Sequence, residues 1–224
     1  MVSNLFGTME RSRFMFRDTM ESVRRAIELK VDPSQAAARP WRYWRAPLTA
    51  LTMQPRRSRS GPVLKNQCRL SDLPQMKSWP DDGGPFVTLP QVYSHVPQQT
   101  SLKHSNLGMY RIQMGGNDYV KDEEVGLHYQ IHRGIGVHHQ VAANLEVDLP
   151  VNVFVGGTPA MTLSAVMPLP EGMSELTFGG ALSGHRISMA TGGLPLPVYG
   201  EADFAICGRV EPGKVKPEGP FGDH

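Results

Sequence analysis

Four glycine-rich turn clusters constrain this chain more than any other feature. Asp81-Asp82-Gly83-Gly84-Pro85, Gly115-Gly116-Asn117-Asp118, Gly156-Gly157-Thr158-Pro159 and Thr191-Gly192-Gly193 cut everything after Leu73 into short pieces. Glycine adopts positive φ without steric penalty and proline lacks a backbone donor, so no long helix or strand runs through such a cluster. Between the clusters, the runs at 86–89, 108–114, 126–131, 151–155, 187–190 and 205–210 alternate or stay apolar as half-buried or buried strands do. Helical stretches interrupt them near 138–144 and 160–165, with a further short helix at 175–183. Many short strands with few helices predict a barrel-like α+β domain over residues 73–224.

Residues 1–72 have a different texture. Phe14, Met15, Thr19, Val23, Ile27 and Val31 recur at spacings of three and four, which predicts a helix over 9–31 that Asp32-Pro33 stops. The stretch 33–65 mixes Pro, Arg and Trp without a period and reads as connector, with a short helix near 33–39. Trp41, Trp44 and Trp79 are expected to be packing anchors rather than ligand stackers. The opening, Met1 to Thr8, reads as a strand end running into a glycine turn, so a preceding segment is expected.

Charge and cysteine content narrow the partners. A formal net charge of +2 creates no strong field that would draw a nucleic acid or a membrane. Arg39, Arg42, Arg45, Arg56, Arg57 and Arg59 crowd one stretch, either as a solvated connector or as a phosphate or partner contact. No apolar run approaches the roughly 18 residues of a membrane span, and the N-terminus lacks the order of a signal peptide. Cys68 and Cys207 fit no zinc motif and make no disulfide framework, so a reducing cytoplasm is the simplest compartment.

Three motifs carry candidate chemistry. In Ser105-Asn106-Leu107-Gly108-Met109-Tyr110-Arg111, strand alternation puts Tyr110 opposite Met109 and Arg111; Asn106 offers a neutral oxygen ligand and Arg111 a fixed cationic fork. His128-Tyr129-Gln130-Ile131-His132-Arg133-Gly134, with His138 and His139, gathers four of the eight histidines into twelve residues. On a strand, His128 and His132 stand about 13 Å apart, which argues against a simple two-histidine zinc site. Arg133-Gly134 suits the approach of a phosphate, although a histidine-rich surface turn explains the same residues. Finally, Glu218 sits among prolines and glycines in Pro217-Glu218-Gly219-Pro220-Phe221-Gly222-Asp223-His224, a stiff loop suited to holding a metal ligand, or simply a free surface loop.

Taken together, and with Val153-Phe154-Val155-Gly156-Gly157-Thr158-Pro159-Ala160, Pro168-Leu169-Pro170-Glu171-Gly172 and Trp79 to Pro85, these motifs resemble the UbiD family of reversible (de)carboxylases in identity, order and spacing. The resemblance covers nearly the whole chain. It implies the remnant of an N-terminal α/β region followed by a split β-barrel related to flavin-reductase folds, C-terminally incomplete here.

The resemblance further implies prenylated FMN as cofactor, made by a flavin prenyltransferase, its phosphate held through a divalent metal, usually manganese, often with potassium nearby. Asn106 and Glu218 would be metal ligands with His132 a third. Met109, Tyr110, Arg111, His128, Tyr129, Gln130, Arg133 and Gly134 would face the cofactor, Arg111 also pairing with the carboxylate of a small aromatic or α,β-unsaturated acid. Quinone-precursor decarboxylation of a 4-hydroxybenzoate-type acid is the best-known setting, and homo-oligomers are expected of the full-length protein. Two departures stand out. Residues 189–198 replace a more usual Thr-x-Asp-Leu-x-Val-Pro run, and the family's proton-donating acid belongs to a segment after His224. A non-catalytic flavin- or metal-binding module, or one subunit of a split enzyme, is therefore the second expectation.

Overall fold

Local chemistry sets the first turns of the molecule. The computed structural model describes residues 4–99, 101–170 and 172–222; the expectations that involve residues 1–3, Glu171, Asp223 and His224 lie outside them. Thr8 caps α1 (Met9–Met15) by accepting a hydrogen bond from Arg11 N at 3.1 Å. The helix expected over 9–31 is in fact two. Phe16 drops into the core, Thr19 donates to the Leu182 carbonyl at 2.8 Å, and α2 (Met20–Val31) starts afresh. Phe16 and Val23 are buried there, while Phe14 and Val31 face solvent. Asp32 ends α2 and accepts from Ser34 and Gln35, launching α3 (Gln35–Ala38). The connector then folds into α4 (Pro40–Tyr43) and α5 (Ala46–Thr52). Trp41, Trp44 and Trp79 are 74%, 65% and 52% exposed, which corrects their reading as packing anchors. Arg45 instead lies over the Trp44 ring at 4.7 Å.

The remaining elements are β1 (Arg56–Ser58), β2 (Gln91–His95), β3 (Ser105–Met109), β4 (Arg111–Gln113), β5 (Gly126–His128), α6 (Ile135–Asn144), β6 (Leu149–Val155), α7 (Pro159–Ser164), α8 (Glu175–Ser183), β7 (Ser188–Ala190), β8 (Val198–Tyr199) and β9 (Phe204–Val210). They form three sheets: a mixed β1-β7-β8 sheet, an antiparallel β3-β2-β6-β9 sheet and the β4-β5 pair. Strand β1, from the connector, thus pairs in parallel with β7. The fold is mixed α+β, and no closed barrel forms among the described residues.

The central strands β2 and β6 of the four-stranded sheet are buried on both faces, while β9 at its edge is largely exposed. Val92, Val151 and Val153 enter one apolar cluster with Ile112, Ile135 and Leu149; Tyr93 and Phe154 enter another with Leu107, Met161, Leu176 and Tyr199. Each fully buried aliphatic or aromatic side chain contributes roughly 1.5–3 kcal/mol. A third cluster joins Phe16 and Val23 to Ala160, Phe178 and Leu182, tying the N-terminal helices to α7 and α8.

Strand β2 is absent from the sequence expectation because it looks polar. Its Gln91 and Ser94 are nevertheless fully buried. Gln91 Nε2 donates to the Gly156 carbonyl at 3.0 Å, and Ser94 Oγ lies 2.9 Å from His138 Nδ1, so burial leaves the Gln91 amide nitrogen and the Ser94 hydroxyl partnered. The expected strand at 86–89 reduces to a single bridge between Phe86 and Gln113.

Candidate functional site

The expected strand over 108–114 breaks at Tyr110. The chain leaves β3 there and enters β4 in a different sheet. Tyr110 folds back: its hydroxyl accepts from Asn106 Nδ2 at 3.2 Å and from Ile135 N at 3.3 Å. Gly134, at φ +51°, closes on the same point, since a Cβ there would stand 2.2 Å from the Tyr110 hydroxyl and 2.8 Å from Asn106 Oδ1. One tyrosine therefore joins β3, the start of α6 and the 129–134 loop.

Across the β4-β5 pair, Arg111 is the register partner of His128, so their side chains project from one face. Both reach Glu218. Arg111 Nε and an Nη donate to its two oxygens at 2.7 and 2.9 Å, and His128 Nδ1 lies 2.9 Å from Oε2. The Arg111 guanidinium also sits 4.1 Å above the Phe221 ring. Glu218 is only 14% exposed in its side chain, against 45% for Arg111.

The loop that carries Glu218 is held along its length. Asn117 Nδ2 and the Tyr119 hydroxyl donate to the Pro217 carbonyl, and Gly219 N donates to the buried Gln113 Oε1 at 2.8 Å. Gly83 N donates to the Pro220 carbonyl and Gly222 N to Asp82 Oδ1. The backbone N–H groups of Gly222 and Trp79 hold the Asp82 carboxyl below its usual range. Gly83 is required at this contact, because a Cβ would lie 1.8 Å from the Gly219 oxygen. Gln113, Asp82 and Phe221 do not stand out in the sequence as site residues. Gln113 carries one signal, its i+2 spacing from Arg111 on the same strand.

Met109, Tyr110, Arg111, His128, Tyr129, Gln130 and Arg133 line one open cleft of about 370 Å³, a size that suits a small organic ligand. The structure thus brings all of the expected cofactor-facing residues except Gly134 into one wall, and Gly134 packs directly behind Tyr110. Two guanidiniums and an imidazole in a partly apolar cleft fit an anionic, aromatic cofactor. The three expected metal ligands are placed less uniformly. Glu218 is engaged by Arg111 and His128, Asn106 by Tyr110, and His132 lies exposed in the turn after β5. No group of three or more His, Cys, Asp or Glu side chains is arranged to hold a metal among the described residues. By donor chemistry, the Asn106 amide oxygen and the Glu218 carboxylate suit a hard divalent ion.

This arrangement of sheets and helices is the fold of the UbiD-class enzymes. It superposes on vanillic acid decarboxylase of Sedimentibacter hydroxybenzoicus in its closed form with a TM-score of 0.74 at 21% identity, over 97% of this chain and 44% of that one. It also superposes on the UbiD-class enzyme HmfF of Pelotomaculum thermopropionicum, solved with FMN, with a TM-score of 0.63 at 22% identity, over 78% of this chain and 40% of that one. Residues 55–224 match the 3-octaprenyl-4-hydroxybenzoate carboxy-lyase Rift-related domain, and the chain belongs to the UbiD family. Similar curated proteins include a 4-hydroxybenzoate decarboxylase subunit of Chlamydia pneumoniae, 37% identical over 227 residues, and an uncharacterised protein of Chlamydia muridarum, 36% identical over 230 residues. The matches cover all of this chain but only 38% of either relative's length.

Proposed function

We propose that this chain carries the cofactor- and carboxylate-facing part of a non-oxidative (de)carboxylase for an aromatic or α,β-unsaturated acid, working on prenylated FMN. One observation carries the reading. Arg111, in the cleft wall, already grips a carboxylate in bidentate fashion, and the same fork suits the carboxylate of a substrate. The cofactor, when bound, supplies the electron sink for carbon–carbon bond cleavage. Arg111 would orient the acid and hold its charge until the bond breaks, and Arg133 and His128 would offset the cofactor phosphate. Asn106, Glu218 and His132 would hold a divalent ion, manganese by family resemblance and potassium alongside it.

The reading extends to a split-barrel cofactor domain beginning near residue 73, a homo-oligomeric whole protein in the cytoplasm, a prenyltransferase as cofactor source, and a 4-hydroxybenzoate-type substrate. A cleft solvated on one side suits completion by further chain. The Chlamydia pneumoniae relative is named as a subunit of its decarboxylase, which favours a second reading: this chain is one part of a multi-subunit enzyme. The test is carbon dioxide release from cinnamic and hydroxybenzoic acids with prenylated FMN and manganese, comparing wild type with Arg111→Ala. Turnover that survives Arg111→Ala rejects the carboxylate role. Turnover that needs a second polypeptide selects the multi-subunit reading.

A further inference from the structure

Behind the cleft wall stands a residue for which the proposed reaction has no use. His139 Nδ1 lies 2.6 Å from the Tyr129 hydroxyl, and the two rings meet edge-on with centroids 5.8 Å apart. Ten residues separate them in sequence. They meet because the segment after β5 folds against the first turn of α6: a Cβ on Gly136 would lie 2.2 Å from the Gln130 carbonyl oxygen and 2.5 Å from that of Ile131. Tyr129 also packs edge-on against Tyr110, the residue that joins β3 to α6.

The other nitrogen of His139 decides what this pair does. Nε2 is buried without a hydrogen-bond partner among the described residues. With its hydrogen on Nε2, the ring would bury an unsatisfied N–H and would take the Tyr129 hydrogen on Nδ1. With its hydrogen on Nδ1, the ring donates to the Tyr129 oxygen and leaves only a bare lone pair at Nε2. Buried N–H groups without acceptors are rarer than buried acceptors short of a donor, so the second tautomer is favoured. The Tyr129 oxygen then accepts from His139, and its own hydrogen is left to turn towards the cleft that Tyr129 lines. Burial raises the phenol's pKa, so it stays protonated.

We infer that His139 is a positioning residue that holds Tyr129 as a hydrogen-bond donor into the cleft, adding a neutral donor to Arg111 and Arg133 for an anionic ligand. The inference rests on reading the cleft as an anion- and flavin-binding site.

Its two halves are measured separately on the full chain. Long-range ¹H–¹⁵N correlation on ¹⁵N-histidine protein reads the His139 tautomer without any ligand. The expected result is the Nδ1–H form, shifting towards the Nε2–H form in Tyr129→Phe. Titration with FMN then reads the donor: Tyr129→Phe weakens binding about threefold to tenfold, as one lost neutral hydrogen bond does. His139→Phe gives the same loss, the double variant loses no more, and His139→Gln, whose amide still donates, recovers most of it. An Nε2–H tautomer in the wild type overturns the inference even if FMN binds. Additive losses in the double variant, or full affinity in His139→Phe, overturn it as well. Failure of the wild type to bind FMN while the Nδ1–H tautomer is intact instead sinks the flavin reading, and the ligand half of this inference with it.

Discussion

Arg111 and Glu218 stand 107 positions apart in the chain, yet each is the other's partner. Their motifs point one to a substrate and the other to a metal, and the pairing is legible in neither motif. A guanidinium and a carboxylate that meet at a cleft edge pair with each other whenever no competing ligand is bound. Arg133 occupies the same wall, and replacing it with alanine should weaken FMN binding by about tenfold or more, as loss of a charged hydrogen bond does; fluorescence titration with manganese present reads this. His138 makes a separate prediction. Burial, helped by the neighbouring His95 and His104, lowers its pKa from 6.5 to about 4, so it stays neutral in the folded protein. The unfolded chain takes up this proton first. The contribution of His138 to stability is therefore full above about pH 6.5 and is lost as pH falls through the window down to about 4. Urea denaturation at about pH 7.5 and about pH 4.5 should show the difference, and His138→Gln should flatten the part of the slope that belongs to this residue.

At the scale of elements, two short contacts hold the cleft together. Gly134 starts α6 at positive φ with no room for a side chain, so Gly134→Ala should destabilise the protein by a few kcal/mol through strain and the clash with Tyr110 and Asn106. Thermal denaturation monitored by circular dichroism would register the loss; an unchanged midpoint would show that the loop has another conformation available. Asp82 clips the Glu218 loop to the 79–85 turn through Gly222 N and Trp79 N. Asp82→Ala should raise hydrogen exchange at the Gly222 amide and lower FMN affinity, while leaving the distant α8 amides unchanged. The helices near 160–165 and at 175–183 are legible in the sequence because Pro159 leads the first and Ser174 caps the second. The break at Tyr110 and the division of 9–31 are not, because a backbone group from elsewhere in the fold meets a local side chain at each one. The Tyr110 hydroxyl accepts from Ile135 N, and Thr19 reaches Leu182.

Over the whole molecule, Trp41, Trp44, Leu48 and Leu51 leave α4 and α5 with a row of exposed apolar side chains. Such surface promotes association. The 224-residue chain should therefore elute in size exclusion with light scattering above its 24.7 kDa mass, and Trp44→Glu with Leu48→Glu should return it towards monomer. The order of residues is enough to place the turns, because glycine and proline act through their own backbone; it also sets the α+β class and the residue types that line the cleft. Only in three dimensions does β2, with its buried Gln91 and Ser94, run through the middle of a sheet. Folding likewise turns three tryptophans outward, brings Arg111, His128 and Glu218 together, and stands His139 behind Tyr129. For the polar groups among these the physical reason is the same. A polar group's burial depends on a partner that folding brings from far along the chain, and no local pattern encodes that partner.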